Sequence, residues 1–445
     1  MSILAEGELT PRNNRSYISV PFDVPEGVTR IRVSFDHSPE HTPGQPYPQQ
    51  ISLTVFGPTG PRSDNRPSKE GFVIGEGRVT PGTVSGPILA GQWAVLIAVH
   101  RIMPPEPVRY RLEVTLSSDP VVEPSEFWEK GQVAPRGPGW YRGDLHAHSI
   151  HSDGRWDIPE LVRFARDNAW DFVTLSDHNT VSGLPQHHSL ADDQLVTVGA
   201  TELSTFYGHA LALGVQEWFE WRSPDGTTIS MPELAQQVLS SGSPFVIAHP
   251  TAQGDPVCCG CHWEHEDMMP GSAPAVEVWN GGWSQENEEA LQLFYRWLNE
   301  GYHLVATSGT DMHGPPPENV RGAVNVVYAQ EFSEAAILEG IKSGHSYISA
   351  GPELTFRARV ASGKEGMMGD TLPREALTLE ADWAKGHKDG VLRLLVGGEA
   401  HDEKRLGVAG KATWEFDAGK VTWCAIELRD PEHSLWAVTN PIFFE

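Results

Sequence analysis

Hydrophobic and polar positions change their period twice along the chain. Over residues 1–120 they alternate. Tyr17–Val24, Thr29–Phe35, Gln50–Phe56, Gln92–Val99 and Val108–Leu116 are separated by Gly/Pro-rich turns such as Gly57-Pro-Thr-Gly-Pro61. Period two predicts antiparallel strands, here a β-sandwich. Residues 121–139 are rich in Pro, Glu and Gly and read as a linker. Residues 140–350 are different. Asp157 can cap a helix, with Pro159 in its first turn, Glu160 completing a capping box and Leu161, Phe164 and Ala165 on one face. Met231–Ser241 and Glu286–Glu300 also carry helical spacing. Between the helices lie short apolar runs, Asp171–Leu175, Leu195–Val198, Phe245–Ala248, Ala275–Trp279 and Leu304–Thr307. Helices alternating with short buried strands predict a mostly parallel α/β sheet or barrel. Residues 351–445 return to β texture, in Leu377–Ala381, Val391–Val396, Thr413–Phe416 and Thr422–Leu428.

At 445 residues the chain is too long for one ordinary core, and length alone suggests about three domains. Lys+Arg 33 against Asp+Glu 59 gives a formal charge of −26. No broad basic face is available for a nucleic acid polymer, whose phosphates need clustered Lys and Arg. A small anionic substrate remains compatible, because a bound cation can dominate a local field. No basic, apolar leader opens the sequence, and no apolar run reaches the roughly 18 residues of a membrane span. A cytoplasmic protein without membrane attachment is the expectation. Cys258, Cys259 and Cys261 crowd one tetrapeptide, too close for an ordinary disulfide framework. They read as small thiols in a loop; the competing readings are a separate metal clip or a redox-sensitive loop.

The chemistry sits where the strands of the middle region end. His146 and His148, spaced i and i+2, point the same way on a strand, and Asp153 follows at a Gly turn. Four further clusters come after apolar runs: Asp177 with His178, Glu202 with His209, His249-Pro250, and Asp311 with His313. The strand ends of a parallel α/β barrel converge on one mouth, so these residues can meet. Six His, two Asp and one Glu exceed the four to six ligands of one ion and suggest two or three divalent metals. Imidazole with carboxylate and no thiolate suits Mn²⁺, taken first, or Fe²⁺ or Zn²⁺. Asp177 reads as a support for neighbouring His178 rather than a ligand. His187, His188, His262, His265 and His345 lack strand-end placement and read as non-ligands.

This ordered set resembles the polymerase-and-histidinol-phosphatase (PHP) superfamily. The resemblance implies a distorted (β/α)₇ barrel with a trinuclear centre. It places His146, His148, Glu202 and Asp311 on one metal, Glu202, His209 and His249 on a second, and Asp153, His178 and His313 on a third. Val276-Glu-Val-Trp-Asn-Gly281, Ser343–Pro352, Ala437–Ile442 and parts of the N-terminal β region are similar to the CehA/McbA branch, which includes carbamate hydrolases.

Bridged divalent metals acidify bound water and polarise the attacked oxygen, so the expected activity is hydrolysis of small-molecule phosphate mono- or diesters by a metal-activated hydroxide. A carbamate or carboxyl-ester hydrolase with the same metals is the alternative. A non-catalytic binding module on a relic barrel is the alternative of another class. Asp311 is the candidate proton acceptor, and Arg321 and Asn280 are candidate substrate donors. Trp263, Trp279 and Trp283 are either a pocket wall or core. For the flanking β regions a scaffold, lid or homo-oligomer role is expected.

Overall fold

The computed structural model describes residues 2–105, 107–120, 126–316, 322–417, 419 and 421–445. The alternating N-terminal segments form two four-stranded antiparallel sheets. One runs Ser2–Leu9, Val108–Ser117, Arg30–Ser38, Phe72–Gly75. The other runs Ser16–Val24, Gly91–Arg101, Gln50–Gly57, Gly60–Asn65. Strand Arg30–Ser38 shows why: Ile31, Val33 and Phe35 point inward while Arg30, Arg32 and Asp36 face water. The inward residues of both sheets meet in one core with Leu53, Val55, Trp93, Val95 and Leu112.

The middle of the chain is mixed α/β and is dominated by sheet. Strands follow the spatial order Val305–Gly309, Ala275–Asn280, Phe245–Ile247, His209–Leu213, Val196–Ser204, Phe172–Leu175, Gly139–Asp144, Val324–Ala329, Ser346–Ser349. Gly139–Asp144 runs parallel to Phe172–Leu175, and the latter parallel to Val196–Ser204. Phe245–Ile247, Ala275–Asn280 and Val305–Gly309 form a second parallel group. His209–Leu213 and Val324–Ala329 run antiparallel to their neighbours. A (β/α)₇ barrel is therefore not what the pairing describes. Between Ser204 and His209 a tight turn stands where a helix would be, and it reverses the strand. The Val305–Gly309 end of this path approaches the continuation of strand Gly139–Asp144 through an isolated parallel bridge, Ala147 with Met312.

Helices form where their caps predict. Ile158–Asp167 opens on Asp157, whose side chain accepts from Glu160 N while Glu160 returns the bond; it buries Ile158, Leu161, Val162 and Ala165. Met231–Ser240 uses Ser230 and Glu233 in the same way. Gln285–Asn299 and Glu334–Lys342 open on Ser284 and Ser333.

The C-terminal strands do not stand apart. Leu435–Thr439 pairs with Ser346–Ser349, and Trp423–Arg429, Val391–Val396 and Glu399–Arg405 prolong the same sheet. A second sheet, Glu365–Met367, Glu353–Val360, Ala376–Ala384, Gly410–Asp417, packs on it through Phe356, Leu379, Leu394 and Ile426. Among the described residues no helix is long and apolar enough to cross a membrane.

Candidate metal centre

Strand Gly139–Asp144 ends at a bend at Leu145, and the residues after it are held by both neighbouring segments. Ser176 N donates to Ala147 O at 2.9 Å, His148 N to Met312 O at 2.9 Å, and Asp311 N to His146 O at 2.8 Å. These bonds leave both imidazoles converging on one space, their Nε2 atoms 3.1 Å apart. The other candidates arrive from the ends of Phe172–Leu175, Val196–Ser204, Phe245–Ile247 and Val305–Gly309, and from the start of His209–Leu213.

All nine side chains form one connected cluster. His146 Nε2 lies 3.1 Å from His148 Nε2, 3.3 Å from Glu202 Oε2 and 3.5 Å from Asp311 Oδ1. His148 Nε2 is 3.3 Å from that glutamate oxygen and 3.0 Å from that aspartate oxygen. Glu202 Oε1 is 3.0 Å from His209 Nδ1 and 3.1 Å from His249 Nε2. His178 reaches Glu202 Oε2 at 2.8 Å through Nδ1 and Asp153 Oδ1 at 3.5 Å through Nε2. His313 Nε2 is 3.0 Å from Asp153 Oδ1. Four sets have donor atoms within 4.8 Å of one another: His148, Asp153, His178, His313; His146, His249, Asp311; His146, His148, Glu202; and His178, Glu202, His209. The division drawn from the resemblance differs at His148, which here also gathers with Asp153, at His178, which also gathers with Glu202 and His209, and at His249, which gathers with His146 and Asp311.

The cluster is close in distance but short of hydrogen bonds. Glu202 Oε2 and Asp311 Oδ1 are buried without a hydrogen-bond partner, because the nitrogens facing them lack the required angles. Such orphaned buried oxygens are costly unless a cation takes their lone pairs. The partners on the far side of the rings agree. His249 Nδ1 faces Cys261 O at 3.1 Å, His313 Nδ1 faces Asp311 O at 2.8 Å, and His146 Nδ1 faces Glu277 Oε1 at 3.1 Å. These oxygens only accept, so each ring keeps a proton on Nδ1, and a cation in place of the second proton would meet the Nε2 lone pair. Nitrogen and oxygen donors with divergent orphans fit divalent Mn²⁺, Fe²⁺ or Zn²⁺.

The charges point the same way. Burial opposes ionisation of Glu202, but His178, His146 and His209 outweigh it and hold the carboxyl well below its ordinary range. Burial likewise works against Asp311, and His146 and His148 again hold it low. Burial lowers His146 and His178, yet the surrounding carboxylates, Asp311 and Glu277 for one and Glu202 and Asp153 for the other, push both well above the usual imidazole value. The site demands positive charge, which protons supply when nothing else does.

Two further acids support the site. Glu277 is fully buried against His146, and also accepts from His249 N at 3.1 Å and Asn280 Nδ2 at 2.9 Å. A lone acid inside the apolar run Ala275–Trp279 is the sequence signal for it. Buried Asp144 accepts from Thr310 N at 2.9 Å and from the Thr310 hydroxyl, so it ties the first strand to the Asp311 loop. Burial pushes its carboxyl up to about 7, although those Thr310 bonds pull the other way.

The remaining candidates are placed as follows. Asp177 accepts from Ser149 N at 2.8 Å, Ser149 Oγ at 2.7 Å and Ser152 Oγ at 2.6 Å, and so shapes the turn that carries Asp153. Asn280 contacts Glu277 and, at 3.3 Å, Asp311 Oδ2. Arg321 lies outside the described residues. Trp263 and Trp279 are buried in the core, with Trp283 packed edge-on against Trp279 at 4.6 Å. The cysteine expectation needs correcting: Cys258 and Cys261 are joined in a disulfide, and Cys259 and Cys424 are the free, buried thiols. A loop turning at Gly260, with φ +84°, brings the two sulfurs together.

No protein-family model and no curated protein matches the chain. Among solved structures it is similar to a two-domain Bacteroides vulgatus protein containing a predicted PHP-like metal-dependent phosphoesterase, with 16% identity over 72% of this chain and 100% of that one, at TM-score 0.40. It is also similar to an amidohydrolase from Chromobacterium violaceum with bound sulfate, with 17% identity over 40% of this chain and 89% of the other, at TM-score 0.30. A third is a proposed metal-dependent phosphoesterase from Bifidobacterium adolescentis, with 17% identity, 44% and 93% coverage and TM-score 0.33. Likenesses this slight carry no argument about activity.

Proposed function

We propose that the chain is a metal-dependent hydrolase of ester bonds, of the PHP type, acting first on phosphate esters of small molecules. The observation that carries this reading is the pair of buried, unpartnered oxygens, Glu202 Oε2 and Asp311 Oδ1, among inward-turned histidines. The ordered residue set, with its resemblance to that superfamily and to its CehA/McbA branch, supports it. His146, His148, Asp153, His178, Glu202, His209, His249, Asp311 and His313 would hold two or three divalent ions. When bound, such ions acidify water and neutralise charge that develops on the attacked ester.

The chain's own residues do the rest. Glu277 and the carbonyls of Cys261 and Asp311 fix the tautomers of His146, His249 and His313. Glu202 lies between two groups of histidines, so its two oxygens suit a bridging position. Asp311, held ionised, suits a ligand better than a reservoir for the attacking water's proton. Metal analysis with a substrate profile tests the reading. Manganese-replete protein should hold at least one ion per chain and turn over aryl phosphate mono- or diesters. Turnover of 1-naphthyl carbamates without phosphoester activity would make it a carbamate hydrolase, and less than one ion per chain would favour a non-catalytic binding module.

A further inference from the structure

The cluster is sealed on one side and open on the other. His146, His148 and Glu202 are fully buried, whereas side-chain exposure rises to 15% at Asp153, 23% at His178, 24% at Asp311 and 34% at His313. The edge open to substrate is therefore the one formed by Asp153, His178, Asp311 and His313. On that side a residue from another part of the chain reaches in. Arg66, from the N-terminal pair of sheets, donates through Nη2 to Asp153 Oδ2 at 2.6 Å, while Asp153 Oδ1 faces the two imidazoles. The Arg66 side chain remains 68% exposed while holding Asp153, so it stands at the solvent side of the mouth.

Its position is not that of a loosely tethered surface charge. Two residues earlier, buried Asp64 accepts from Arg222 Nη1 at 2.9 Å, and Arg222 also donates to Thr54 Oγ1 at 2.7 Å. This pins the N-terminal sheets to the middle region beside Arg66. Nearby, Gly82 is packed so closely that a Cβ there would lie 2.9 Å from His151 O, two residues before Asp153. A second cation, exposed Arg155, donates its backbone N–H to His313 O at 2.7 Å, and its Nε would lie 3.4 Å from a Cβ on Gly314. In a chain with a formal charge of −26, two arginines beside the open edge create a local attraction for anions that the surrounding surface opposes.

We propose that Arg66 binds the anionic group of the substrate, so that the N-terminal sheets complete the active site. The ligand class is a phosphate or comparable oxyanion, whose oxygens match the guanidinium fork. The proposal rests on the metal-dependent reading above. It is tested with manganese-loaded full-length protein, inorganic phosphate as probe and titration calorimetry as readout, with metal content measured alongside. Arg66→Ala should weaken phosphate binding about tenfold or more at unchanged manganese stoichiometry, and Arg66→Lys should fall between it and the wild type. Phosphate affinity within twofold of wild type in Arg66→Ala overturns the proposal. So does a wild-type chain that holds manganese but binds no phosphate. A parallel loss of manganese also overturns it, because Arg66 would then act only through Asp153. A wild-type chain that takes up no manganese removes the metal-dependent reading itself, and this proposal with it.

Discussion

Glu277 shows how much of the cluster depends on a single side chain outside the four candidate ligand sets. It accepts from the ring of His146, the backbone of His249 and the amide of Asn280. Glu277→Gln keeps the volume but replaces an acceptor by a donor on one side. Manganese affinity should fall by roughly 10–100-fold with the fold intact, as measured by metal titration. His187 illustrates a histidine of the opposite kind. It is fully buried, donates to Val173 O at 3.1 Å, and burial pushes its pKa down to about 3. Its unfolded value is the ordinary 6.5. The unfolded chain therefore takes up the proton first as pH falls. The stabilising contribution is complete above pH 6.5 and is lost progressively on the way down to about 3. Between pH 7 and 4.5, His187→Gln should lose roughly 2–3 kcal/mol less stability than the wild type in denaturant titrations. A pH dependence matching that of the wild type would refute this assignment. The recurrence of these nine His, Asp and Glu residues near strand ends was legible in the sequence, because residue type and strand-end position are local properties. Glu277 was not, since an acid inside an apolar strand has no linear neighbour to reveal its partner.

At the scale of elements, close approach of backbones decides whether the centre can assemble. Gly309, the last residue of strand Val305–Gly309, lies against Glu277 and His146. A Cβ there would sit 2.1 Å from Glu277 Oε1 and 2.3 Å from His146 Cβ. Gly309→Ala must displace one of them. We expect a loss of about 1–3 kcal/mol in thermal or chemical denaturation, together with weakened manganese binding. Binding at wild-type strength would show that the packing can relax. Two centre residues, His249 and Asp311, also carry positive φ values of 29° and 49°. Such backbone strain persists where neighbouring structure over-determines it. Helices Ile158–Asp167 and Met231–Ser240 were readable because their capping boxes are local. The sheet order was not, because strand pairing joins residues far apart, such as Ser349 with Ala437.

Across the whole molecule, one buried cation joins regions that the sequence separates. Arg222 holds Asp64 at 2.9 Å and Glu220 at 2.6 Å. Burial pushes the Asp64 carboxyl up to about 6 even though Arg222 pulls it down. Arg222→Met would leave two carboxylates without their counter-ion. A destabilisation of roughly 3–5 kcal/mol is expected, visible as an earlier first step in calorimetric unfolding. An unchanged thermogram would mean that the N-terminal sheets dock through other contacts. The amino-acid sequence by itself determined local periodicity, helix caps and the kinds of atoms available to a cation, since all three depend on near neighbours or residue identity. Tertiary structure alone decided that the middle sheet is mixed and runs on into the C-terminal strands. It also decided that Glu277 stands behind His146, that Cys258 meets Cys261, and that Arg66 reaches Asp153. Each of these is a contact between surfaces whose shapes exist only after the chain has folded.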